Sequence, residues 1–245
     1  MKFAALAALV SSLTFAQTPP TDDIARLKAE LERDKKTLQD WPALGRYAAD
    51  NAKLSPPAPS ENRVVFMGDS ITDGWIKRSP KYFADHPNFV DRGISGQTTP
   101  QMLIRFRPDV IALNPKVVVI LAGTNDIAGN TGPMTPEMIE DNFQSMVELA
   151  KANGIKVVLS SVMPVCDYIR PQTERRPPAK IVALNAWIKD YSEKNGLVYL
   201  DYYSAMLDDQ KMLQKDMTYD GLHPNEAGYA VMEPMADKAI AAALK

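Results

Sequence analysis

The sequence predicts one α/β domain, built on a parallel sheet of about five strands with helices on both faces. From residue 64 onward, short runs rich in β-branched residues alternate with segments of helix length. Strict alternation of strands and helices is typical of a parallel sheet enclosed by helices. The length of 245 residues also suits a single large α/β domain.

The individual elements follow from these patterns. The runs predicted as strands are 64–67, 88–91, 116–121, 156–160 and 197–200. The segments predicted as helices within the domain are about 100–113, 135–153, 178–195 and 225–244. Gly154 and Gly196 stand just before a strand, where a helix commonly ends on glycine. Pro234 is expected to kink or divide the last helix.

The composition narrows the classes of function. A formal charge of −2 gives no basic surface for nucleic acid. The single cysteine, Cys166, excludes an intrachain disulfide framework and a cysteine-based metal cluster. With only two histidines, His86 and His223, a multi-histidine metal site is disfavoured, and no metal is predicted. There is no Walker loop and no dinucleotide-binding fingerprint, so no cofactor is predicted.

The first 60 residues are predicted to lie outside the sheet domain. Lys2, an apolar run over 3–15 and the small residues before Gln17 predict a signal peptide over 1–16 and a secreted or periplasmic protein. The alternative is a short membrane anchor, but the run is shorter than the ~20 residues that span a bilayer, and no membrane span is predicted. Residues 17–60 are predicted as a helical extension, a brace packed on the domain, with helices over about 22–40 and 42–54 and a Pro-rich connector. The main domain is then 61–245.

Ser70 follows the first predicted strand directly. Gly68 ends that strand, and Ser70 lies at a strand-to-helix turn where backbone N–H groups point toward whatever its hydroxyl attacks. That placement suits a nucleophile. A serine used only as a helix N-cap explains the same stretch equally well.

Polar residues also follow the next strands of the predicted sheet. A glycine pair with Gly96 follows the second strand, and Gly123-Thr124-Asn125-Asp126 follows the third. Each has an ordinary explanation in turns and caps. Because ligands bind beyond the carboxyl ends of parallel strands, we expect the Gly96 N–H and the Asn125 amide to lie beside Ser70. Together these groups are the components of an oxyanion hole.

A candidate base precedes the last helix. In Asp220-Gly221-Leu222-His223-Pro224, the carboxylate of Asp220 can accept the Nδ1 proton of His223 and leave Nε2 to face a serine. Alone, His223 would more often be a surface or cap histidine. His86 is the other candidate, but it precedes the second strand and is expected at the opposite end of the sheet.

These residues fall into four ordered blocks that resemble the SGNH/GDSL hydrolases, within them the branch related to platelet-activating-factor acetylhydrolase subunits. The blocks are Gly68-Asp69-Ser70, Gly96, Gly123-Thr124-Asn125-Asp126 and Asp220-Gly221-Leu222-His223-Pro224. The resemblance implies a three-layer flavodoxin-like fold. It also implies Ser70 as nucleophile, His223 as base, Asp220 as orienting acid, and an oxyanion hole formed by Ser70, Gly96 and Asn125. Gln97 departs from the family pattern, in which many relatives carry an acidic residue.

The expected reaction is two-step acyl transfer by a serine esterase on a small-molecule or saccharide ester. Short acyl groups, especially acetyl esters of carbohydrates, are the preferred substrates. The alternatives are a lipase or thioesterase with a longer acyl pocket and a catalytically silent carbohydrate-binding relative. Trp75 could stack on a sugar ring or belong to the core. Arg170, Arg175 and Arg176 could meet an anionic substrate, but a solvated loop is the favoured interpretation.

Overall fold

The structure is a computed structural model that describes residues 21–245. The predicted signal peptide over 1–16 lies outside these residues. The chain divides into two compact units, with the boundary in the sequence between Asp40 and Trp41. Among the described residues, none of the helices combines the length and apolar character needed to cross a membrane.

The part of the first unit that the structure describes is one helix, α1 (Thr21–Gln39). It confirms the helix predicted over about 22–40. Charged side chains one turn apart pair along it, with Arg26 3.3 Å from Asp23 and Lys35 2.8 Å from Glu32. The role of this helix as a brace remains a prediction.

The second unit contains the predicted parallel sheet. Its strands are β1 (Val64–Gly68), β2 (Phe89–Gly93), β3 (Val117–Leu121), β4 (Lys156–Ser160) and β5 (Val198–Leu200). They lie in the order β2-β1-β3-β4-β5, and every pairing is parallel. This order is that of the flavodoxin-like fold. The prediction of a parallel α/β sheet is therefore confirmed.

Helices cover both faces of the sheet. They are α2 (Ala48–Lys53), α3 (Ser70–Arg78), α4 (Pro80–Asp85), α5 (Thr99–Asp109), α6 (Thr124–Ile127), α7 (Pro136–Ala152), α8 (Pro178–Lys194), α9 (Tyr202–Ala205) and α10 (Glu226–Ala243). Every residue of β1 and β3 is buried, as expected for strands covered on two sides. Side chains alternate between two cores, one formed with α5, α7 and α8 and the other with α3, α4 and α10. The three-layer arrangement follows from this alternation.

The structure corrects one element prediction and narrows another. The helix expected over about 42–54 is confined to α2, because turns occupy the first half of the segment and Ala43 has a positive φ of 56°. Of the two outcomes expected at Pro234, a divided helix is wrong, since α10 runs through that residue, and a kink stays a prediction. Pro234 and Ala230, whose carbonyl loses its partner, are both exposed, so water can replace the missing bond.

Trp75 belongs to the core and does not line a sugar site. Its side chain is 1% exposed and stacks between Tyr82 and Tyr229, with ring centroids 5.4 Å away on each side. Of the two interpretations of this residue, the core position is the one that the structure supports.

Candidate active site

Ser70 is the first residue of α3, directly beyond the carboxyl end of β1. The N-cap of this helix is Asp69, whose side chain accepts a hydrogen bond of 2.9 Å from the Ile71 N–H. The capping role considered for Ser70 is thus filled by its neighbour. Gly68 is required here, because a Cβ on it would lie 2.0 Å from the Thr72 hydroxyl.

Ser70, His223 and Asp220 form one hydrogen-bonded chain. The Ser70 Oγ lies 2.8 Å from His223 Nε2, and His223 Nδ1 lies 2.7 Å from Asp220 Oδ2. A carboxylate only accepts, so the proton of the neutral imidazole sits on Nδ1. His223 Nε2 therefore presents its lone pair to the Ser70 hydroxyl.

The turn that carries Asp220 and His223 is held in place by its own backbone. Asp220 Oδ1 accepts from the N–H groups of His223 at 2.8 Å and Leu222 at 3.0 Å. Thr218 supplies a further bond, its hydroxyl donating to the His223 carbonyl at 2.7 Å. Burial works to raise the pKa of Asp220, but the hydrogen bonds from the His223 backbone and ring and from Leu222 outweigh it and hold the pKa below its usual value. Asp220 is therefore ionised at neutral pH.

His86 lies elsewhere, as expected. It precedes β2, its Nδ1 is 2.8 Å from the Tyr82 carbonyl oxygen, and its ring stacks on Phe89. Its Nε2 faces Asp237 of α10 at 3.7 Å. These contacts assign it to the packing between α4, β2 and α10.

The predicted oxyanion-hole residues line the same cleft as Ser70 and His223. The cleft has a volume of about 710 Å³, and Gly96 and Asn125 both contribute to its wall. Gly96 has a φ of +81°, which favours glycine. Within the part of the chain that the structure describes, the N–H groups of Ser70 and Gly96 have no protein acceptor. Both remain available to a ligand.

Asn125 is buried and held at both ends of its amide. Its Nδ2 donates to the Gln97 carbonyl at 3.0 Å, and its Oδ1 accepts from the Arg176 guanidinium at 3.3 Å. The interpretation of Arg176 as a solvated loop residue is therefore wrong: its side chain is buried in the cleft wall. Arg170 and Arg175 are exposed, and Arg175 also borders the cleft.

Gln97 keeps the Gly96 loop in place even though it departs from the family pattern. Its Oε1 accepts a hydrogen bond from Arg105, and its Nε2 donates to the Pro42 carbonyl at 2.8 Å. A carboxylate could not make the second bond, because it has no proton to donate. The amide therefore ties the loop to the segment that precedes α2.

Arg105 is a structural residue of this edge that the sequence analysis missed. It is fully buried on α5, and its guanidinium donates to the carbonyls of Gly68 at 3.0 Å and Arg92 at 2.8 Å. It also pairs with Asp109 at 3.1 Å. One side chain thus joins the carboxyl ends of β1 and β2. The available indication was an arginine between Met102 and Phe106 on the apolar face of the helix.

The cleft carries more positive than negative side chains. The charged residues in its wall are Asp73, Lys77, Arg78, Arg175, Arg176 and Glu226. Lys77 pairs with Asp73 at 3.3 Å, and Arg78 pairs with Glu226 at 3.6 Å. Within residues 21–245, no group of three or more histidine, cysteine, aspartate or glutamate side chains is placed to hold a metal ion.

This combination of fold and site is typical of serine acylhydrolases built on a flavodoxin-like sheet. Residues 66–231 match the GDSL-like Lipase/Acylhydrolase family. The chain belongs to that family, as the four sequence blocks predicted.

Known proteins agree with this placement. A crystal structure of a GDSL-like lipase from Bacteroides thetaiotaomicron is 44% identical, covers 84% of this chain and 100% of its own, and has a TM-score of 0.79. A structure from Streptococcus pneumonia, named for platelet activating factor, is 20% identical over 90% of this chain and 99% of its own, with a TM-score of 0.69. The second comparison shows the shared fold.

The curated relatives are matched over part of their length. An acetylxylan esterase of Xylanibacter ruminicola is 27% identical over 227 residues, which cover 78% of this chain. The chain spans about half the length of the first curated relatives it matches, 45% of this esterase and 49% of a Bacillus subtilis lipoprotein.

Proposed function

We propose that the protein is a serine esterase that hydrolyses short acyl esters, especially acetyl esters of saccharides. One observation carries the proposal. The Ser70 hydroxyl is hydrogen-bonded at 2.8 Å to an imidazole that Asp220 orients, and it borders the same cleft as Gly96 and Asn125. Nucleophile, base and oxyanion donors are the parts that acyl transfer needs.

In the proposed first step, Ser70 Oγ attacks the ester carbonyl and its proton passes to His223 Nε2. The carbonyl oxygen becomes an oxyanion, which accepts hydrogen bonds from the Ser70 N–H, the Gly96 N–H and the Asn125 Nδ2. His223 then gives its proton to the leaving alcohol as the carbon–oxygen bond breaks. An acyl group is left on Ser70.

In the second step, water replaces the alcohol. His223 removes a proton from the water as it attacks the acyl-enzyme, and the same donors hold the second oxyanion. When that intermediate collapses, His223 returns the proton to Ser70 and the acid leaves. Asp220 stabilises the imidazolium in both steps without taking its proton, consistent with the lowered pKa of its carboxyl group.

The lining of the cleft supports a short acyl group and a polar alcohol. Most of the residues that line it are charged or polar, and Leu222 and Tyr219 add apolar surface beside His223. A long acyl chain needs an extended apolar surface to gain from leaving water. The similarity to an acetylxylan esterase supports acetyl esters of saccharides in the same way. The predicted signal peptide supports action outside the cytoplasm.

A chain-length series tests the proposal. Hydrolysis rates for p-nitrophenyl acetate, butyrate, octanoate and dodecanoate should fall as the chain lengthens, with Ser70→Ala as the inactive control. A maximum at octanoate or beyond would favour a lipase or thioesterase. No turnover of any ester by the wild type would favour a silent binding relative. A screen of acetylated saccharides then identifies the alcohol.

A further inference from the structure

Arg176 has an unusual environment for an arginine. Its side chain is 5% exposed, in the wall of the cleft, and each guanidinium nitrogen donates to a neutral oxygen. The acceptors are the Thr124 hydroxyl at 3.1 Å, the Gln172 side chain at 3.1 Å and the Asn125 side chain at 3.3 Å. Within residues 21–245 this guanidinium forms no ion pair closer than 4.0 Å, and the carboxyl groups of Asp69 and Asp220 interact with its charge only from farther away. Burying a charge that no contacting carboxylate neutralises is costly, which suggests that the arginine has a role in the cleft.

The hydrogen bond to Asn125 decides which way its amide faces. A guanidinium only donates and the Gln97 carbonyl only accepts, so Oδ1 must point to Arg176 and Nδ2 to Gln97. If the amide were turned by 180°, donor would face donor and acceptor would face acceptor. Nδ2 carries two protons, and one of them is hydrogen-bonded to the Gln97 carbonyl. The second N–H remains free to donate to a ligand in the cleft.

We propose that Arg176 is a positioning residue of the oxyanion hole, which keeps the free Asn125 N–H aimed at the developing oxyanion. This inference rests on the proposed esterase function. In the ground state the ester carbonyl is neutral and gains little from this N–H donor. The contribution of Arg176 therefore appears in kcat and hardly in KM.

The loop that carries Arg176 also contacts the opposite side of the site. Gln172 accepts from Arg176, and its own amide donates to the Asp220 carbonyl at 3.2 Å. The backbone N–H of Arg176 also donates to the Gln172 carbonyl at 2.9 Å, which forms a turn within the loop. One short segment thus contacts both the oxyanion hole and the turn that carries the base. This double contact holds the loop between the two parts of the site.

A double-mutant cycle tests whether Arg176 acts through Asn125. The variants are Arg176→Met, Asn125→Ala and the combination, assayed for kcat and KM on p-nitrophenyl acetate. Arg176→Met should lower kcat about 10- to 100-fold, part of the 10²–10³ that one oxyanion donor is worth, and change KM less than about threefold. In the Asn125→Ala background, Arg176→Met should lower kcat less than about threefold, because the amide that Arg176 orients is absent. Arg170→Met, an exposed arginine of the same loop, is the matched control and should leave both constants unchanged.

The outcomes separate this inference from the function on which it rests. Equal losses from Arg176→Met in the two backgrounds, or a loss expressed in KM alone, would overturn it. An inactive wild type would overturn the proposed esterase instead. If Arg176→Met is unfolded at the assay temperature, Arg176→Lys completes the same cycle. That variant keeps the charge but not the three-point hydrogen bonding, so it should recover only part of kcat.

Discussion

Replacing Gly221 by alanine should damage the proposed site through geometry alone. Gly221 lies between Asp220 and His223 with a φ of +90°, and its carbonyl accepts from the Cys166 N–H at 2.9 Å. A Cβ at this position would lie 2.3 Å from the Cys166 carbonyl oxygen. Contacts below 3.0 Å are essentially never seen for a Cβ, and the Cys166 oxygen belongs to the backbone, so it cannot move aside like the end of a flexible side chain. The turn must therefore move by about 0.7 Å or more.

A shift of this size is expected to matter for catalysis. A misplacement of about 1 Å can cost about 10²-fold in rate, so Gly221→Ala should lower kcat about 10- to 100-fold. The left-handed backbone adds a stability cost of about 1–2 kcal/mol, and the clash with Cys166 increases it. Steady-state kinetics on p-nitrophenyl acetate and thermal unfolding measure the two effects.

Gly196→Ala is the matched control. Gly196 also has a positive φ, +63°, but no atom lies within 4 Å of a Cβ built there, and it ends α8 away from the cleft. It should show the backbone cost of about 1–2 kcal/mol in thermal unfolding with kcat unchanged. Equal kcat values for the two variants would refute the claim that the turn at Gly221 sets the position of the base.

Three further substitutions test other parts of the account. Asn125→Ala should lower kcat about 10²–10³-fold with little change in KM, and a kcat within about threefold of wild type would remove it from the oxyanion hole. Asp220→Asn should lower kcat about 10²- to 10⁴-fold, since the carboxylate that orients His223 and stabilises the imidazolium is lost; a kcat near the wild-type value would contradict that role. Burial raises the pKa of Asp91 to about 7, opposed by the Gly93 N–H, so the native state holds a proton that the unfolded chain loses near pH 4. The contribution of Asp91 to the free energy of unfolding is therefore largest below pH 4 and is lost as the pH rises through 7. Asp91→Asn should flatten this decline in urea unfolding curves measured from pH 4 to 8, and an unchanged slope would contradict it.

The sheet could be predicted from sequence because its strands are buried on both faces. β1 and β3 are unbroken apolar runs with all residues buried, so pattern and structure coincide. The site could be predicted for a related reason. Parallel strands share one carboxyl edge, so the polar residues that follow β1, β2 and β3 had to meet there. Ser70, Gly96 and Asn125 all border one cleft at that edge.

The burial of two arginines, which the sequence analysis missed, depends on how distant parts of the chain come together in the fold. Arg170, Arg175 and Arg176 form one charged run, and only the course of the loop buries the third beneath Asn125. Arg105 lies on the apolar face of α5 in the sequence pattern, but the strand ends that accept its hydrogen bonds are distant in sequence. The Thr124 and Asn125 acceptors of Arg176 are also distant in sequence, so local patterns do not reveal what these two arginines bind.

The hydroxyl of Ser70 is the group on which the proposed function depends most directly. Wild type and Ser70→Ala should be compared for hydrolysis of p-nitrophenyl acetate and for labelling by a fluorophosphonate probe, with thermal unfolding to establish that both fold. The account predicts that Ser70→Ala retains a melting temperature close to wild type and loses nearly all turnover, and that the probe labels Ser70 in the wild type alone. Turnover near the wild-type level in the folded variant, or labelling at another residue, would contradict it.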